Sequence, residues 1–422
     1  MSKILRLHPE PALARGTTVQ RRCTLELTGG HSARRDVLYF EYPAGIPLPP
    51  DDEMDSFATA AAMMAMAERC PLQVRGTLCE SLVMNLTEYG AAWNRWVPHE
   101  YGTLLLQPDR LRAETALPPR GTVAAFSGGV DAMFLVWGHH TRKRGAQSRA
   151  LSHCMFVHGF DIPLDATDQY AVAYAQAQRA VGDLGLPLLQ VTTNFRKVVP
   201  TKWPHVFAAA VAASFHGLSR VCSAGLIGSS EPYDHLIVPW GAGPITDHLL
   251  SSQRLSVIHD GAAFNRTEKA LGISDWEHGL QNLRVCWEGE DKSHNCGRCE
   301  KCVRTQLNFA VNEKPVPASL GGRVAVERLA RIKLKNAPIY EQYMSIYRTA
   351  RSRRIRAPWV AGLRRLLVRE RLRLQGRSFW LRIKPGLKVL LGPALVWRQR
   401  RREDRRQRTA AAAPGPQTAV QS

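Results

Sequence analysis

Apolar and polar positions are patterned differently in successive stretches of the chain. Over residues 1–115, the strand-like segments Cys23–Leu27 and Val37–Tyr42 flank a turn at Gly29–Gly30. The Pro-rich stretch Pro43–Pro50 leads into an apolar helical segment, Met54–Ala67, followed by a strand-like piece at Leu72–Arg75 and a helix at Glu80–Trp93. This mixture predicts a small α+β unit. From Gly121 the pattern changes. Thr122–Phe126 is short and continuously apolar, as expected of a parallel strand buried on both faces. Further strands are predicted at Cys154–Val157, Pro187–Val191 and Arg220–Ala224, with helices at Met133–Trp137, Asp168–Val181 and Val206–His216 between them. Such alternation predicts an α/β fold on a doubly wound parallel sheet, whose ligands bind beyond the carboxyl ends of the strands.

Charge separates the C-terminal quarter from the rest. The formal charge is +21, yet from Arg331 onward there are 24 Lys+Arg against 4 Asp+Glu, leaving 33 against 32 before it. The basicity is therefore a property of residues 331–408, and not of the whole protein. There Trp359, Leu363, Leu366, Leu367 and Leu374 fall on one helical face, with Arg364, Arg365, Arg369 and Arg373 around it. This basic amphipathic pattern suits an anionic membrane surface, with nucleic-acid phosphate as the competing partner. The apolar stretch Phe379–Trp397 is broken by Pro385 and Pro393 and is not expected to span a bilayer, and the Ala/Pro/Gln-rich residues 409–422 are expected to be disordered. Met1–Arg15 has no sustained apolar core, so a cytoplasmic location is expected, peripheral at the membrane if the basic region binds lipid.

Chemistry first enters at the end of the Thr122–Phe126 strand. Ser127-Gly128-Gly129-Val130-Asp131 opens directly into a helix. Glycines let the backbone turn tightly and approach a ligand, and the N–H groups converging on a helix N-terminus suit phosphate or pyrophosphate. Ser127 adds a hydroxyl, and Asp131 stands where it can cap N–H groups or help hold Mg²⁺. The spacing fits neither the Walker nor the dinucleotide-binding pattern.

Nine cysteines are present, and a reducing compartment leaves them as thiols. Cys23, Cys70, Cys79, Cys154 and Cys222 are scattered, as buried hydrophobes are. Cys286, Cys296, Cys299 and Cys302 are clustered as Cys-x9-Cys-x2-Cys-x2-Cys. Two-residue spacings let successive thiolates turn onto one ion, and four sulfur ligands favour structural Zn²⁺, with an iron–sulfur cluster as the alternative.

Taken together, Phe126–Asp131, Val285-Cys286-Trp287-Glu288-Gly289 and Cys296–Arg304 resemble the 7-cyano-7-deazaguanine synthase branch of the PP-loop ATP-pyrophosphatases, as does Asn265–Lys269 between them. The resemblance covers Thr122–Leu307 and implies an adenine-nucleotide alpha-hydrolase-like domain over residues 116–330, in front of which this chain departs from the family by adding an accessory unit over 1–115. It also implies an enzyme that binds ATP with Mg²⁺, transfers AMP onto a carboxylate or amide oxygen, releases pyrophosphate and lets a nitrogen nucleophile displace AMP. By analogy Ser127 and Asp131 act at the reacting phosphates, Gly128, Gly129 and Val130 complete the loop, and His158, Gly225 and Gly228 lie near the nucleotide. Ala132 stands where the family has serine, removing one hydroxyl. Glu231, Asp234, His235, Asp247 and His259 are the candidates for contacts to the unidentified acceptor. Two other readings are an RNA-modifying PP-loop enzyme that grips RNA through the basic region and an inactive nucleotide-binding scaffold.

Overall fold

The computed structural model describes residues 3–29, 33–113, 120–286 and 289–373. The expected disordered tail (409–422), Leu374 and the far part of the basic region lie outside the described residues. Among those described, ten strands form one mostly parallel sheet. They are β1 (Ile4–Arg15), β2 (Thr18–Thr28), β3 (Arg34–Pro43), β4 (Leu72–Cys79), β5 (Leu106–Arg112), β6 (Gly121–Ala125), β7 (Leu151–His158), β8 (Leu188–Thr193), β9 (Cys222–Gly228) and β10 (Ser256–Asp260). Their order across the sheet is β10-β9-β6-β7-β8-β3-β2-β1-β4-β5. The β10-to-β8 half is entirely parallel, and β8, β3, β2 and β1 pair antiparallel in turn.

The helices are α1 (Asp55–Glu68), α2 (Glu80–Trp96), α3 (Val130–His140), α4 (Thr167–Gly182), α5 (Phe195–Val198), α6 (Trp203–His216), α7 (Arg266–Gly272), α8 (Glu277–Gln281), α9 (Glu300–Ala310), α10 (Val326–Leu329), α11 (Ala337–Ser352) and α12 (358–373). Successive residues of the parallel strands feed opposite cores. Val123 and Met155 join a core shared with α1, α2 and α6, whereas Ala124, Cys154 and Phe156 join one shared with α3, α4 and α9. Helices thus cover both faces of the parallel half.

The expected boundary near residue 115 falls inside this single sheet. β3 pairs with β8 through Phe40↔Thr193 and Glu41↔Thr192. Above that seam α1 packs on α6, where short side chains bring the backbones close. Ser56 Oγ donates to the Ala213 carbonyl at 2.6 Å, and Tyr42 Oη to the Ser214 carbonyl at 2.9 Å. A Cβ added at Gly217 would meet the Tyr42 hydroxyl at 2.0 Å, so glycine is required there. Residues 4–112 share a sheet and a core with the parallel half.

The C-terminal helices differ from the expectation of a free amphipathic segment. Trp359, Leu363, Leu366 and Leu367 are buried against Val303 and Leu307 of α9, Val311 just beyond it, and Tyr343 and Ile346 of α11. The apolar face expected to meet a membrane is spent inside the protein. Two of its flanking arginines are structural as well. Arg369 donates to the carbonyls of Ala330 and Ile332, Arg373 donates to that of Leu334, and both pair with the buried carboxylate of Glu370. Glu370 also accepts the Leu334 N–H at 2.8 Å. Arg364 and Arg365 stay exposed. No helix among the described residues is long and apolar enough to cross a membrane.

Burial opposes the charge on Glu370, but the Leu334 amide and the two arginines outweigh it and hold its carboxyl below the usual range. The stabilisation is therefore present above the unfolded-state pKa and is lost as pH falls through the depressed folded value. Glu370→Ala is expected to destabilise the protein at pH 7 by about 1.5–3 kcal/mol in denaturant unfolding, with the difference from wild type shrinking on acidification.

Candidate functional site

Strand β6 has the next strand in sequence, β7, on one side and the later β9 on the other. Strand addition reverses there, which makes the carboxyl ends of β6 and β9 the switch point where ligands of such sheets bind. The Ser127–Asp131 segment sits at that point. Gly128 has φ +77°, a backbone conformation that glycine adopts without strain, and Gly129 precedes the first turn of α3. No side chain caps α3, so its first N–H groups are free to bind an anion. Ser127 is exposed, and its Oγ accepts the Gly129 N–H at 3.4 Å, leaving the hydroxyl hydrogen to donate outward. Val130 is wholly buried, so only its backbone is available to a ligand. Arg284 braces the turn from behind. Its backbone N–H donates to the Gly128 carbonyl at 2.9 Å and its guanidinium to that of Ser127 at 3.1 Å.

The carboxylate of Asp131 is engaged from both sides. Arg266 approaches Oδ2 at 2.5 Å and Lys269 approaches Oδ1 at 3.3 Å. Burial alone would raise the Asp131 pKa, but these cations outweigh it and hold the group below the usual carboxylate range. The expected role of holding Mg²⁺ does not fit a carboxylate committed in this way. Both cations come from α7, whose start is set by a capping box in which Asn265 and Glu268 satisfy each other's backbone amides. Three residues apart, they share one helix face. Lys269 also donates to the carbonyl of Ser229, just past β9, and Ser229 N–H donates to the carbonyl of Asp260 at the end of β10.

Lys301, in the first turn of α9, points into the same region. Its ammonium has no hydrogen-bond or ion-pair partner among the described residues. Burial, and then the neighbouring Arg266 guanidinium, push it down to about 8, with Asp161 and Asp131 pulling the other way. Arg304, one turn on, pairs with Glu300 at 2.9 Å and donates to Gln342, which in turn donates to the Glu231 carboxylate at 3.1 Å. Burial raises the Glu231 pKa. The cations Arg266, Lys269, Lys301 and Arg304 were not expected as site residues. All four nevertheless lie inside segments that carried the resemblance, Asn265–Lys269 and Cys296–Arg304, and Arg266 and Lys269 also show a three-residue spacing.

The remaining expected residues divide. Gly228 lies at the site, where an added Cβ would come within 3.1 Å of the Asp131 carbonyl, so close approach of β9 to α3 needs glycine. Gly225 lies inside β9, and a Cβ there would strike Phe215, so its role is packing. His158 ends β7, but its ring stacks on Tyr170 with centroids 4.0 Å apart and its Nε2 lies 3.0 Å from the Pro163 carbonyl. It is committed internally. Glu231, Asp234 and His235 line a cleft with Arg266, Gln342 and Ser345, so that α11 forms one wall. Asp247 and His259 form a separate buried pair, with His259 Nδ1 2.8 Å from Asp247 Oδ2.

The four cysteines of the cluster do converge. Their sulfurs lie within 4.8 Å of one another, with Cys286 3.6 Å from Cys296 and 3.7 Å from Cys299. A disulfide would need about 2.05 Å, whereas tetrahedral sulfur ligands about 2.3 Å from one ion lie about 3.8 Å apart. The group can hold one metal ion. Multi-iron clusters hold their cysteine sulfurs farther apart. Cys299 also precedes α9, its sulfur accepting the Cys302 N–H at 3.5 Å, so the thiol centre sets the start of the helix that carries Lys301 and Arg304.

A family of unknown function (DUF6395) matches residues 275–376, which include the four cysteines, α9, α11 and α12. No curated protein and no solved structure matches the chain.

Purified protein is expected to carry one metal ion per chain by elemental analysis. Cys299→Ser is expected to lose it and to unfold at lower temperature, because the metal's binding free energy contributes to folding.

Proposed function

We propose that this chain is an ATP-dependent, AMP- and pyrophosphate-forming enzyme that activates a carboxylate or amide oxygen by adenylation for attack by a nitrogen nucleophile. It would thus be similar in chemistry to the 7-cyano-7-deazaguanine synthases that its motifs resemble. One observation carries the reading: an uncapped glycine turn at the sheet's switch point, near a lysine whose ammonium has no hydrogen-bond or ion-pair partner among the described residues. Backbone N–H groups of Gly129 and the first turn of α3 are suited to a phosphate, with Ser127 donating from the rim. Arg266, Lys269 and Lys301 supply positive charge where the departing pyrophosphate accumulates negative charge. A Mg²⁺ ion accompanying ATP would be held by the phosphates themselves. Oxygen is a poor leaving group until it carries AMP, which is why adenylation precedes attack by nitrogen.

The metal of the thiol centre is, on this reading, Zn²⁺, since four thiolates leave no open position for chemistry. Its contribution is to hold the α9 N-terminus, and with it Lys301, against the phosphate loop. A nucleotide-binding scaffold without turnover is favoured by two particulars, the commitment of Asp131 to cations and the methyl group of Ala132.

Calorimetry with ATP, together with AMP and pyrophosphate formation in an ultrafiltered small-molecule cell extract, separates these readings. The proposal expects both binding and turnover, and the scaffold expects binding alone. Lys301→Met removes a charge-assisted contact of about 1.5–3 kcal/mol, so ATP affinity should fall about 10- to 100-fold. Absence of ATP binding by the metal-loaded wild type would refute the reading.

A further inference from the structure

A second cavity adjoins the cleft, and Glu231 lines both. Its walls are largely apolar, drawn from Trp96 of α2 and from the segment Leu236–Thr246. Two polar atoms of its lining residues are buried without a hydrogen-bond partner among the described residues, His259 Nε2 and Trp240 Nε1. Burying one such group without a partner is costly, and both belong to residues that line this cavity, where a bound molecule would supply the partners.

The two atoms have opposite character. Asp247 is completely buried, and its Oδ1 accepts the Gly243 N–H at 2.9 Å. Its Oδ2 accepts from His259 Nδ1 at 2.8 Å, and the His259 side chain is only 6% exposed. With Asp247 ionised and the imidazole neutral, the carboxylate accepts, which puts the ring proton on Nδ1 and the lone pair on Nε2. Trp240 Nε1 can only donate. The cavity therefore matches a ligand that presents a nitrogen-bound proton to His259 and an oxygen to Trp240. His259 lies on β10, next to Asp260, whose carbonyl holds the Ser229 amide, and Ser229 in turn accepts from Lys269 at the phosphate site. The cavity and the Ser127–Asp131 turn are linked through this one short chain of contacts.

Resting on the adenylation reading, we infer that this cavity is the subsite for the nitrogen nucleophile, an amine, and that His259 is the base that deprotonates it, positioned by Asp247. As the amine attacks the adenylated carbon, the new C–N bond forms and the C–O bond to AMP breaks, its electron pair leaving on AMP. The proton lost from nitrogen passes to His259 Nε2, and from there to solvent. Asp247 fixes the imidazole tautomer and stabilises the imidazolium, and is a positioning residue.

The test measures AMP release from ATP by the metal-loaded full chain in the ultrafiltered small-molecule extract, with and without hydroxylamine. Hydroxylamine is unprotonated at neutral pH and a strong nucleophile, so it bypasses the need for a base. His259→Gln is expected to lower extract-driven AMP release about 100-fold, to bind ATP within about threefold of wild type, and to recover most of its turnover with hydroxylamine. Asp247→Asn, which keeps the volume of a wholly buried group, is expected to show the same pattern with a smaller loss. Wild-type turnover in His259→Gln overturns the inference. So does a loss that hydroxylamine does not relieve, or one accompanied by weak ATP binding, since either marks a core histidine. A wild type that binds ATP without releasing AMP defeats the adenylation reading itself, and the base with it.

Discussion

Lys269 is a cation almost wholly withdrawn from water, and the arrangement of the candidate site follows from how its charge is satisfied. It reaches the Asp131 carboxylate in the first turn of α3 and the Ser229 carbonyl beyond β9. Ser229 in turn is held by β10. The carboxyl ends of β6, β9 and β10 therefore meet around one ammonium group. Desolvating such a charge is expensive, and its removal would leave Asp131 partly uncompensated. Arg266 shares that carboxylate, so Asp131 serves to fix two cations beside the glycine turn.

Helix α9 joins the other parts of the molecule. Cys302 and Phe309 face the core beneath the parallel sheet, whereas Val303 and Leu307 face the C-terminal helices. Its first turn begins in the thiol centre and carries Lys301, and Arg304 in the next turn donates to Gln342 of the cleft wall. The thiol centre is tied to the glycine turn as well, since Arg284, two residues before Cys286, donates to the Gly128 and Ser127 carbonyls. The C-terminal helices are part of the same construction, since α11 contributes Gln342 to the cleft and α12 is packed behind it.

Much of the parallel half was legible because its strands are continuous apolar runs. The β6 strand and the glycine turn lie where the pattern put them, and the four cysteines meet as their spacing required. β1 was not legible, because its outer half reads His-Pro-Glu-Pro. The pairing explains this: β4 flanks β1 only at Leu5–Leu7, and beyond it one edge is unpaired, where proline is tolerated. At the site, the partners of Asp131 come from a helix far along the chain, and no local pattern reports that meeting. Asp247 and His259 were expected singly, as contacts to the acceptor, but not as a pair. The amphipathic pattern of α12 was real, and what it could not reveal was that the surface covering it belongs to the same chain.

The two-residue seam between β3 and β8 bears on how the chain is made. Phe40 and Glu41 wait for Thr193 and Thr192, which leave the ribosome long after them, so β3 emerges as an open sheet edge. Open edges invite pairing with other chains, and non-local strand contacts form slowly. The start of β3 reads Arg34-Arg35-Asp36, and charged side chains on an edge discourage such encounters. The same seam gives the Ala-rich α1 its cover, because α6 arrives on the same later stretch of chain. The interval between synthesis of the two half-sheets is thus the period in which this edge lacks its partner, and the charges at the start of β3 act during it.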